Sequence, residues 1–289
     1  MIIAETICEV RKQVTEWKKN GLTVGLVPTM GYLHEGHASL VDCAVSMCDR
    51  VVVSDFVNPT QFAPGEDLED YPRDFDHDCR LLEEHQCDLV FHPSVLEMYG
   101  ENAATFVEIL NDMPAKLCGK TRPIHFRGVC TVLTKLINIV YPNRMYMGKK
   151  DGQQLAVVQR MVRDLNFNIE VIGCPTVRED DGLAKSSRNK YLSDKDRKAA
   201  RVLPQSLSMA QNAIAAGQRN SAAIIALIKT KIVSEPMAEI DYVEVVDGLT
   251  MQPKDQIEDG DLVAIAVRIG STRLIDNFTV GDPPIDAAF

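Results

Sequence analysis

Short apolar runs alternate with helical patterns of apolar and polar positions through the first 175 residues of the chain. The runs are rich in Val and Ile, which favours strands buried in a sheet. The predicted strands are Leu22–Val27, Arg50–Val57, Asp88–His92, Arg144–Met147 and Asn168–Ile172. The predicted helices are Ile3–Lys19, Ala38–Met47, Asp70–Glu84, Gly128–Val140 and Gln153–Leu165. Strands that alternate with helices in this way predict an α/β fold with a doubly wound, largely parallel sheet.

The pattern changes after Cys174. Helical patterns come first, and they are followed by runs in which apolar and polar residues alternate, which is typical of an antiparallel sheet with one buried face. The helical patterns are Asp194–Arg201, Pro204–Ala216 and Ser221–Val233, and the alternating runs are Asp241–Val246, Asp261–Arg268 and Thr272–Phe278. We therefore expect a first domain over residues 1–175 and a smaller α+β domain over residues 176–289.

The composition is that of a soluble globular protein, with 45% hydrophobic and 25% charged residues. The net charge of −10 argues against a nucleic-acid-binding protein. No signal-peptide pattern follows Met1, and the longest charge-free stretch, Val202–Gln218, contains Gln, Ser and Asn, so we expect no membrane span. The eight cysteines show no paired framework, which indicates reduced thiols in a cytoplasmic protein.

The positive charges are unevenly distributed. Between Lys116 and Arg163 there are ten Lys or Arg residues and one acid, Asp151, so this segment carries +9. A cationic block within an acidic protein favours a focused anion site, although a solvated basic face has the same composition.

The strongest candidate for such a site lies after the first predicted strand of the sheet. A turn, Pro28-Thr29-Met30-Gly31, is followed by His34-Glu35-Gly36-His37, which opens the next helix. A glycine-bearing turn lets the backbone approach a phosphate, and a helix N-terminus offers N–H groups to it. His34 and His37 share one helix face, so two imidazoles can bond phosphoryl oxygens as charge develops.

A second candidate, Lys185-Ser186-Ser187-Arg188, lies much later in the chain. Two hydroxyls between two cations form a phosphate clamp, and such a loop can close over a triphosphate. An exposed polar linker is the alternative interpretation. Together with the paired histidines, this clamp indicates a nucleotide site that cleaves between the α- and β-phosphates.

Two further segments offer polar groups for substrates. The Asn58-Pro59 step ends a strand and leaves Gln61 at the carboxyl edge of the sheet, where its amide suits a substrate with hydroxyls and a carboxylate. A plain turn is the alternative. In the segment Gly148–Gln154, Lys150 suits a phosphate, Asp151 a ribose hydroxyl or a metal, and Gln154 a substrate, although Asp151 also fits a helix cap.

Several histidines and cysteines remain. His77, Cys79, His85, Cys87 and His92 lie close in sequence, but their spacing does not fit the usual zinc patterns. His125 is either a loop histidine near the anion site or an ordinary histidine whose hydrogen bonds are satisfied.

Taken in order, these segments resemble the pantoate–β-alanine ligase family from about Gly25 to Leu192. The matching motifs are Pro28-Thr29-Met30-Gly31, Leu33-His34-Glu35-Gly36-His37, Phe56-Val57-Asn58-Pro59-Thr60-Gln61-Phe62, Tyr71-Pro72-Arg73, His125-Phe126-Arg127-Gly128, Lys150-Asp151 with Gln153-Gln154, and Ser186-Ser187-Arg188-Asn189. Several independent segments in the order of the family are more specific than any single motif.

The resemblance implies a cytoplasmic homodimer with a Rossmann-like, nucleotidylyltransferase-like first domain. It implies a ligase that condenses pantoate with β-alanine through pantoyl adenylate, with Mg²⁺ and ATP, and releases AMP and pyrophosphate. The ATP-binding residues that it implies are Met30, Gly31, Tyr32, Leu33, His34, Glu35, Gly36, His37, Gly148, Lys149, Lys150, Asp151, Val177, Lys185, Ser186, Ser187 and Arg188. The pantoate-binding residues are Pro28, Thr29, Gln61 and Gln154, with Gln61 also near β-alanine.

By the same resemblance, the catalytic groups are His37, as a proton donor and phosphate partner, and His34, Lys150, Ser186, Ser187 and Arg188. The metal ligands are left open. Two other functions also remain open: a nucleotidylyltransferase that acts on a phosphorylated small molecule, and a nucleotide-sensing module without catalysis.

Three residues depart from the family pattern. Lys149 replaces the usual Glu, Lys185 replaces the usual Met, and Asp55 replaces an apolar residue at the end of a strand. The two lysines are expected to tighten the contact with the triphosphate. Asp55 is expected to pair with a cation or to raise the pKa of a neighbour.

Overall fold

The computed structural model describes residues 1–66 and 68–285 of the chain, which divide into two units by their contacts. The first unit comprises Met1–Ala115, Gly119–Gly148 and Val157–Cys174. The second comprises Lys116–Cys118, Lys149–Ala156 and the chain from Pro175 onward. The hydrophobic pattern alone does not separate these two short segments from the first 175 residues, because they lie within its alternating strands and helices.

A six-stranded parallel sheet forms the centre of the first unit, in the order β1-β4-β3-β2-β5-β6. Its strands are β1 (Ile2–Ala4), β2 (Val24–Thr29), β3 (Arg50–Asp55), β4 (Leu89–Phe91), β5 (Arg144–Gly148) and β6 (Glu170–Cys174). The predicted doubly wound α/β fold is therefore confirmed. The strand order reverses between β2 and β5, and ligands in such sheets bind beyond the carboxyl ends of strands at that point.

The helices of the first half of the chain are α1 (Ile7–Lys19), α2 (Glu35–Met47), α3 (Phe75–Glu84), α4 (Val95–Tyr99), α5 (His125–Val140) and α6 (Gly152–Asp164). The division between the units falls within α6, after Ala156. Apolar side chains of the sheet and its helices form a core that includes Val27, Val41, Val53, Leu82, Val90 and Tyr146. This core fixes the strand ends that carry the candidate site.

Helices α2 and α5 begin three residues before the predicted Ala38 and Gly128, two other predicted helices begin too early, and α4 is not predicted at all. Ile2–Ala4 is the edge strand β1, paired with β4, and α1 begins later because Thr6 and Glu9 form a capping box. The predicted helix Asp70–Glu84 begins only at Phe75, where Asp74 caps the chain by accepting the N–H of His77. Polar caps decide both boundaries, and a pattern of apolar positions does not show them.

The second unit contains three helices and a three-stranded antiparallel sheet in the order β7-β8-β9. These elements are α7 (Asp194–Ala200), α8 (Val202–Ala215), α9 (Ser221–Val233), β7 (Ala238–Val246), β8 (Leu262–Ile269) and β9 (Thr272–Thr279). One face of the sheet packs with the helices around Leu207, Ile228 and Ile265. The predicted smaller α+β arrangement is therefore confirmed.

Among the described residues, no helix is long and apolar enough to cross a membrane. The eight cysteines are all free thiols. Burial raises the pKa of Cys87 and of Cys130 to about 12, so both thiols stay protonated at neutral pH.

Candidate active site

The turn after β2 takes a conformation that its glycine makes possible. Gly31 has φ +76° and Tyr32 has φ +54°, so two successive residues lie in the left-handed region. A Cβ on Gly31 would lie 2.4 Å from Oδ1 of Asp55, which leaves no room for a side chain. The hydroxyl of Thr29 fixes the start of the turn, since it donates to the Ser54 carbonyl at 2.7 Å and accepts the N–H of Gly31 at 3.2 Å.

A buried carboxylate holds the middle of this turn. Asp78 lies on α3, is 1% exposed, and accepts the N–H of Tyr32 at 2.6 Å and of Leu33 at 2.7 Å. These two N–H groups are therefore already bonded within the protein. If Tyr32 and Leu33 contact a nucleotide as the sequence predicts, the contact uses other atoms.

Sequence reasoning missed Asp78, although the sequence carries a signal for it. Asp78 and Leu82 are the buried residues of α3 and lie one helical turn apart. An acid on the core-facing stripe of a short amphipathic helix is rare unless it has polar partners. Burial raises the pKa of Asp78, against the opposing effect of the N–H groups that it accepts.

The two predicted histidines lie together at the start of α2. His34 is the N-cap and its Nδ1 accepts the N–H of Gly36 at 3.1 Å, while the N–H of His34 donates to Nδ1 of His37 at 3.3 Å. Their ring centroids are 4.1 Å apart. Because each Nδ1 accepts a bond, the proton of each neutral ring lies on Nε2. The pair therefore presents two imidazole N–H groups at a helix N-terminus, a favourable place for an anion.

Gln61 lies in a single turn of 3₁₀ helix, Pro59–Gln61, and is 6% exposed. Its Oε1 accepts Nδ2 of Asn58 at 3.0 Å, and its Nε2 donates to Sδ of Met30 at 2.9 Å. The phenol of Tyr99 donates to Oδ1 of Asn58 at 2.6 Å. Gln61 and Met30, which the sequence assigned to two different substrates, are therefore in direct contact at the ends of neighbouring strands.

His125 packs against the same turn. It is buried at the start of α5, and its Nδ1 lies 3.1 Å from the carbonyl of Gln61. Arg122 bonds Glu66 at 2.7 Å and approaches that carbonyl at 3.4 Å. Burial opposes ionisation of Glu66, but the Arg122 guanidinium holds its pKa below the usual range. The ambiguous histidine thus supports the Gln61 turn from outside.

Asp55, at the end of β3, lies beside a histidine whose pKa it raises, which is one of the two outcomes that the sequence predicts. Oδ1 of Asp55 lies 3.7 Å from Nδ1 of His92, and that nitrogen also lies 2.9 Å from the backbone carbonyl oxygen of Asp55. The His92 ring also stacks on Phe75. The Asp55 carboxylate raises the pKa of His92, against the opposing effect of burial. Asp55 is 4% exposed, and a cavity of about 240 Å³ lies beside it and Asp78.

In the second unit, Lys149–Asp151 forms a 3₁₀ turn before α6. Nζ of Lys149 lies 2.6 Å from Oδ1 of Asp282, and Nζ of Lys150 lies 3.5 Å from Oδ1 of Asp151. The carbonyl of Lys150 accepts Nδ2 of Asn277 from β9 at 2.6 Å. The backbone of this turn is thus tied to the sheet of its own unit.

The predicted Ser-rich clamp follows a short hydrogen-bonded hairpin and leads into a 3₁₀ helix. Arg178 and Ala184 form a bridge, and the N–H of Lys185 donates to the carbonyl of Val177 at 2.9 Å. Ser186 then caps a 3₁₀ helix, Ser187–Tyr191, by accepting the N–H of Arg188 at 3.3 Å. Val177 and Lys185, both predicted to bind ATP, are therefore neighbours across a hairpin.

Polar contacts within the second unit hold this hairpin in place. Arg178 forms two bonds to the buried carboxylate of Asp276, at 2.8 and 3.1 Å, and Glu179 accepts Nδ2 of Asn189 at 2.6 Å. A gap of about 20 Å³ is lined by Lys150, Ser186, Arg188, Arg273 and Asp276 among others. The structure thus brings the predicted Lys150, Ser186 and Arg188 around one small space.

The candidate residues divide between the two units. Pro28–His37, Gln61 and Gly148 belong to the first, and Lys149–Asp151, Gln154, Val177 and Lys185–Arg188 belong to the second. Over residues 1–66 and 68–285, no group of three His, Cys, Asp or Glu side chains is placed to hold a metal ion. His85 pairs with Asp42 at 2.6 Å, and His77 lies 3.3 Å from Asp78.

Comparison with known proteins gives a consistent result. Residues 2–279 match the family model described as pantoate-beta-alanine ligase. A pantothenate synthetase of Enterococcus faecalis is 57% identical over 279 residues, 96% of this chain and 99% of that protein. One of Clostridium acetobutylicum is 54% identical with the same coverage.

Solved structures agree with these relatives. The crystal structure of pantothenate synthetase from Thermus thermophilus is 44% identical, with a TM-score of 0.91 over 97% of this chain and 99% of that one. The pantoate-beta-alanine ligase from Francisella tularensis, complexed with beta-gamma ATP and beta-alanine, is 34% identical, with a TM-score of 0.78 over 98% and 99%. The chain therefore belongs to the pantoate-beta-alanine ligase family and is a ligase.

Proposed function

We propose that this chain condenses pantoate with β-alanine to pantothenate and cleaves ATP to AMP and pyrophosphate through pantoyl adenylate. The observation that carries the proposal is the pair of imidazoles, His34 and His37, in a capping box at the start of α2. This helix follows β2, whose carboxyl end lies where the strand order of the sheet reverses. Membership of the family supplies the substrates.

The chemistry requires activation of the acid, because a carboxylate has a poor leaving group and does not acylate an amine at neutral pH. In the first step a carboxylate oxygen of pantoate attacks the α-phosphorus, the bond to the bridging oxygen breaks, and pyrophosphate leaves. In the second step the amine of β-alanine attacks the activated carbonyl carbon, the bond to AMP breaks, and the amine loses a proton. Both steps develop negative charge on phosphate oxygens.

Residues of the first unit are proposed to bind pantoate and part of the nucleotide. The Nε2–H groups of His34 and His37 donate to phosphate oxygens, with His37 as the proton donor, and the N-terminus of α2 adds its dipole. Pro28, Thr29 and Gln61 bind pantoate. The contact between Gln61 and Met30 supports this assignment, because it holds the side-chain amide of Gln61 beside the turn Pro28–Gly31, which is proposed to bind ATP through Met30 and Gly31.

Residues of the second unit are proposed to bind phosphate and ribose. Lys150, Ser186, Ser187 and Arg188 supply positive charge and hydroxyls, and Asp151 suits a ribose hydroxyl. Gln154, which is half-buried on α6, binds pantoate. The proposed ATP contacts of Lys149, Val177 and Lys185, together with that of Gly148 in the first unit, complete the set. Catalysis by these groups consists of positioning and charge stabilisation.

Mg²⁺ is proposed to arrive with ATP, as part of the substrate. Asp78, the carboxylate that holds the turn of Tyr32 and Leu33, is already bonded to two backbone N–H groups, which does not suit a metal ligand. We also propose a homodimer in the cytoplasm. The eight free thiols support a reducing compartment.

The test is product formation by the purified protein with each substrate omitted in turn. Release of AMP should need ATP, pantoate and β-alanine together, whereas exchange of pyrophosphate into ATP should need pantoate alone. Exchange driven by a phosphorylated alcohol would support a different nucleotidylyltransferase. A folded protein that binds ATP without either reaction would support a sensing module and refute the proposal.

A further inference from the structure

We propose that Asp78 is a positioning residue for the reaction, acting through the turn that carries His34 and His37. This inference rests on the proposed function. It assigns to α3, which contains none of the predicted site residues, the task of setting the geometry of the two imidazoles.

The turn that contains Gly31 and Tyr32 needs support from outside because the backbone conformation of Tyr32 is unfavourable. Tyr32 adopts φ +54°, a region that residues with a side chain seldom occupy, and it follows Gly31 at φ +76°. Without contacts from outside, a residue with a side chain, such as Tyr32, favours extended or right-handed backbone. Asp78 supplies the contacts, since its two oxygens accept consecutive N–H groups at 2.6 and 2.7 Å.

The Asp78 carboxylate is itself held in place by its surroundings. Asp78 is 1% exposed, its N–H bonds the carbonyl of Asp74, and His77 lies 3.3 Å from its Oδ1. Hydrogen bonds from backbone N–H to a buried carboxylate are among the stronger ones in proteins. The second neighbouring carboxylate, Asp55, lies against Gly31 and is paired with His92.

The geometry then passes directly to the imidazoles. Leu33, the second residue held by Asp78, is followed at once by His34, the N-cap of α2. The N–H of His34 bonds His37, and the Nδ1 of His34 bonds Gly36. A rotation of the Leu33 peptide therefore tilts both rings. Small displacements of catalytic groups cost much in rate, about a hundredfold for an ångström.

The decisive variant is Asp78→Asn, which keeps the shape but sets an NH₂ group against one of the two N–H donors. The matched control is Asp74→Asn, which removes a carboxylate from the same helix, where Asn caps about as well as Asp, without touching the turn. We expect Asp78→Asn to lower kcat of pyrophosphate exchange by about 10- to 100-fold, with a smaller change in KM for pantoate. Asp74→Asn should leave both Tm and kcat nearly unchanged.

Two further readouts separate positioning from stability. In a His37→Ala background, Asp78→Asn should cost less than in the wild type, because one of the two imidazoles that it positions is gone. The ¹⁵N signals of the His34 and His37 rings should shift in Asp78→Asn and not in Asp74→Asn. A folded Asp78→Asn protein with wild-type kcat, or losses that simply multiply with those of His37→Ala, would overturn the inference.

The ring signals also keep the two proposals apart. If the wild type shows no exchange, the proposed function fails, and the signals alone decide: a shift confined to Asp78→Asn supports the positioning role, and unchanged signals refute it. If the wild type is active and Asp74→Asn loses as much kcat as Asp78→Asn, the positioning role fails while the proposed function stands.

Discussion

Lys149 and Asp282 form an ion pair, with 2.6 Å between Nζ and Oδ1. The two residues are 133 positions apart in the chain and lie in the same unit. The backbone carbonyl of Asp282 accepts the side-chain amide of Gln211 at 3.2 Å, so the pair helps to fix the end of the described chain on α8. This departure from the family pattern thus has a structural explanation in addition to the predicted role toward ATP.

We therefore expect Lys149→Met to affect stability more than nucleotide binding. A partly exposed ion pair contributes about 1 kcal/mol, so the free energy of unfolding should fall by about that amount, as it should in Asp282→Asn. The double variant should lose no more than either single one, because they remove the same pair. Urea unfolding measures the free energy of unfolding of the single variants and of the double variant. A rise in KM for ATP with unchanged stability would contradict this expectation.

Lys185 is expected to behave differently, because its backbone bonds Val177 in the hairpin proposed to hold the nucleotide. Lys185→Met should raise KM for ATP several-fold at low salt and reduce the dependence of KM on salt, since screening acts on charge contacts. The control is Lys190→Met, just beyond the clamp and exposed, with its charge over the ring of Tyr191. An unchanged KM for ATP across salt concentrations would refute a phosphate role for Lys185.

Gly128, on α5, packs directly against the backbone of the turn that carries Gln61. A Cβ at this position would lie 2.4 Å from the carbonyl oxygen of Thr60 and 2.5 Å from Cα of Gln61, both backbone atoms that cannot simply rotate away. In a helix interior Gly→Ala normally gains about 1 kcal/mol, so a loss here isolates the clash. Gly128→Ala should displace the Gln61 turn.

The expected result for Gly128→Ala is a KM for pantoate raised by about tenfold or more, with a smaller change in KM for ATP. Steady-state exchange kinetics at varied pantoate measure the effect, and saturating pantoate should restore much of the rate. A folded variant with an unchanged KM for pantoate would show that Gln61 does not bind that substrate.

Local signals in the sequence predict much of this site. Apolar runs locate β2 and β3, and the turn residues Pro28–Gly31 and the Asn58-Pro59 step mark their carboxyl ends. Because parallel strands end at one edge, these segments come together in the structure as the sequence predicts. The helix predicted from Ala38 begins earlier, at Glu35, and His34 is its N-cap, so the two histidines still lie together at its start.

The remaining parts depend on contacts between distant residues. The pairing of Lys149 with Asp282 and the clamp of Asp78 on Tyr32 each join segments that no periodic pattern links. The edge strand β1 is only three residues long and is separated from α1 by two residues, so the pattern merges the two. An acid on an apolar helix stripe is visible in sequence, but its partner is not.

The pair of Asp55 and His92 predicts a dependence of stability on pH. Asp55 raises the pKa of His92 in the folded state, and Glu5 adds to this effect. Protonated His92 therefore stabilises the fold fully below the unfolded pKa of about 6.5, and this contribution is lost as pH rises through the raised folded-state value. Since the His92 side chain is 42% exposed, solvent screening keeps the effect modest.

We expect the wild type to lose its stability advantage over Asp55→Asn as pH increases from about 5.5 to about 8.5. The Asp55 charge also contributes to the raised pKa of Asp78, so Asp55→Asn should favour ionisation of Asp78 as well. Comparing Asp78→Asn in the wild type and in Asp55→Asn separates this effect from that on His92. The control is Asp42→Asn, which removes the carboxylate from the exposed pair with His85. Thermal unfolding across pH measures all of these proteins. Parallel profiles for the wild type and Asp55→Asn would show that the buried carboxylate does not hold His92 in its charged form.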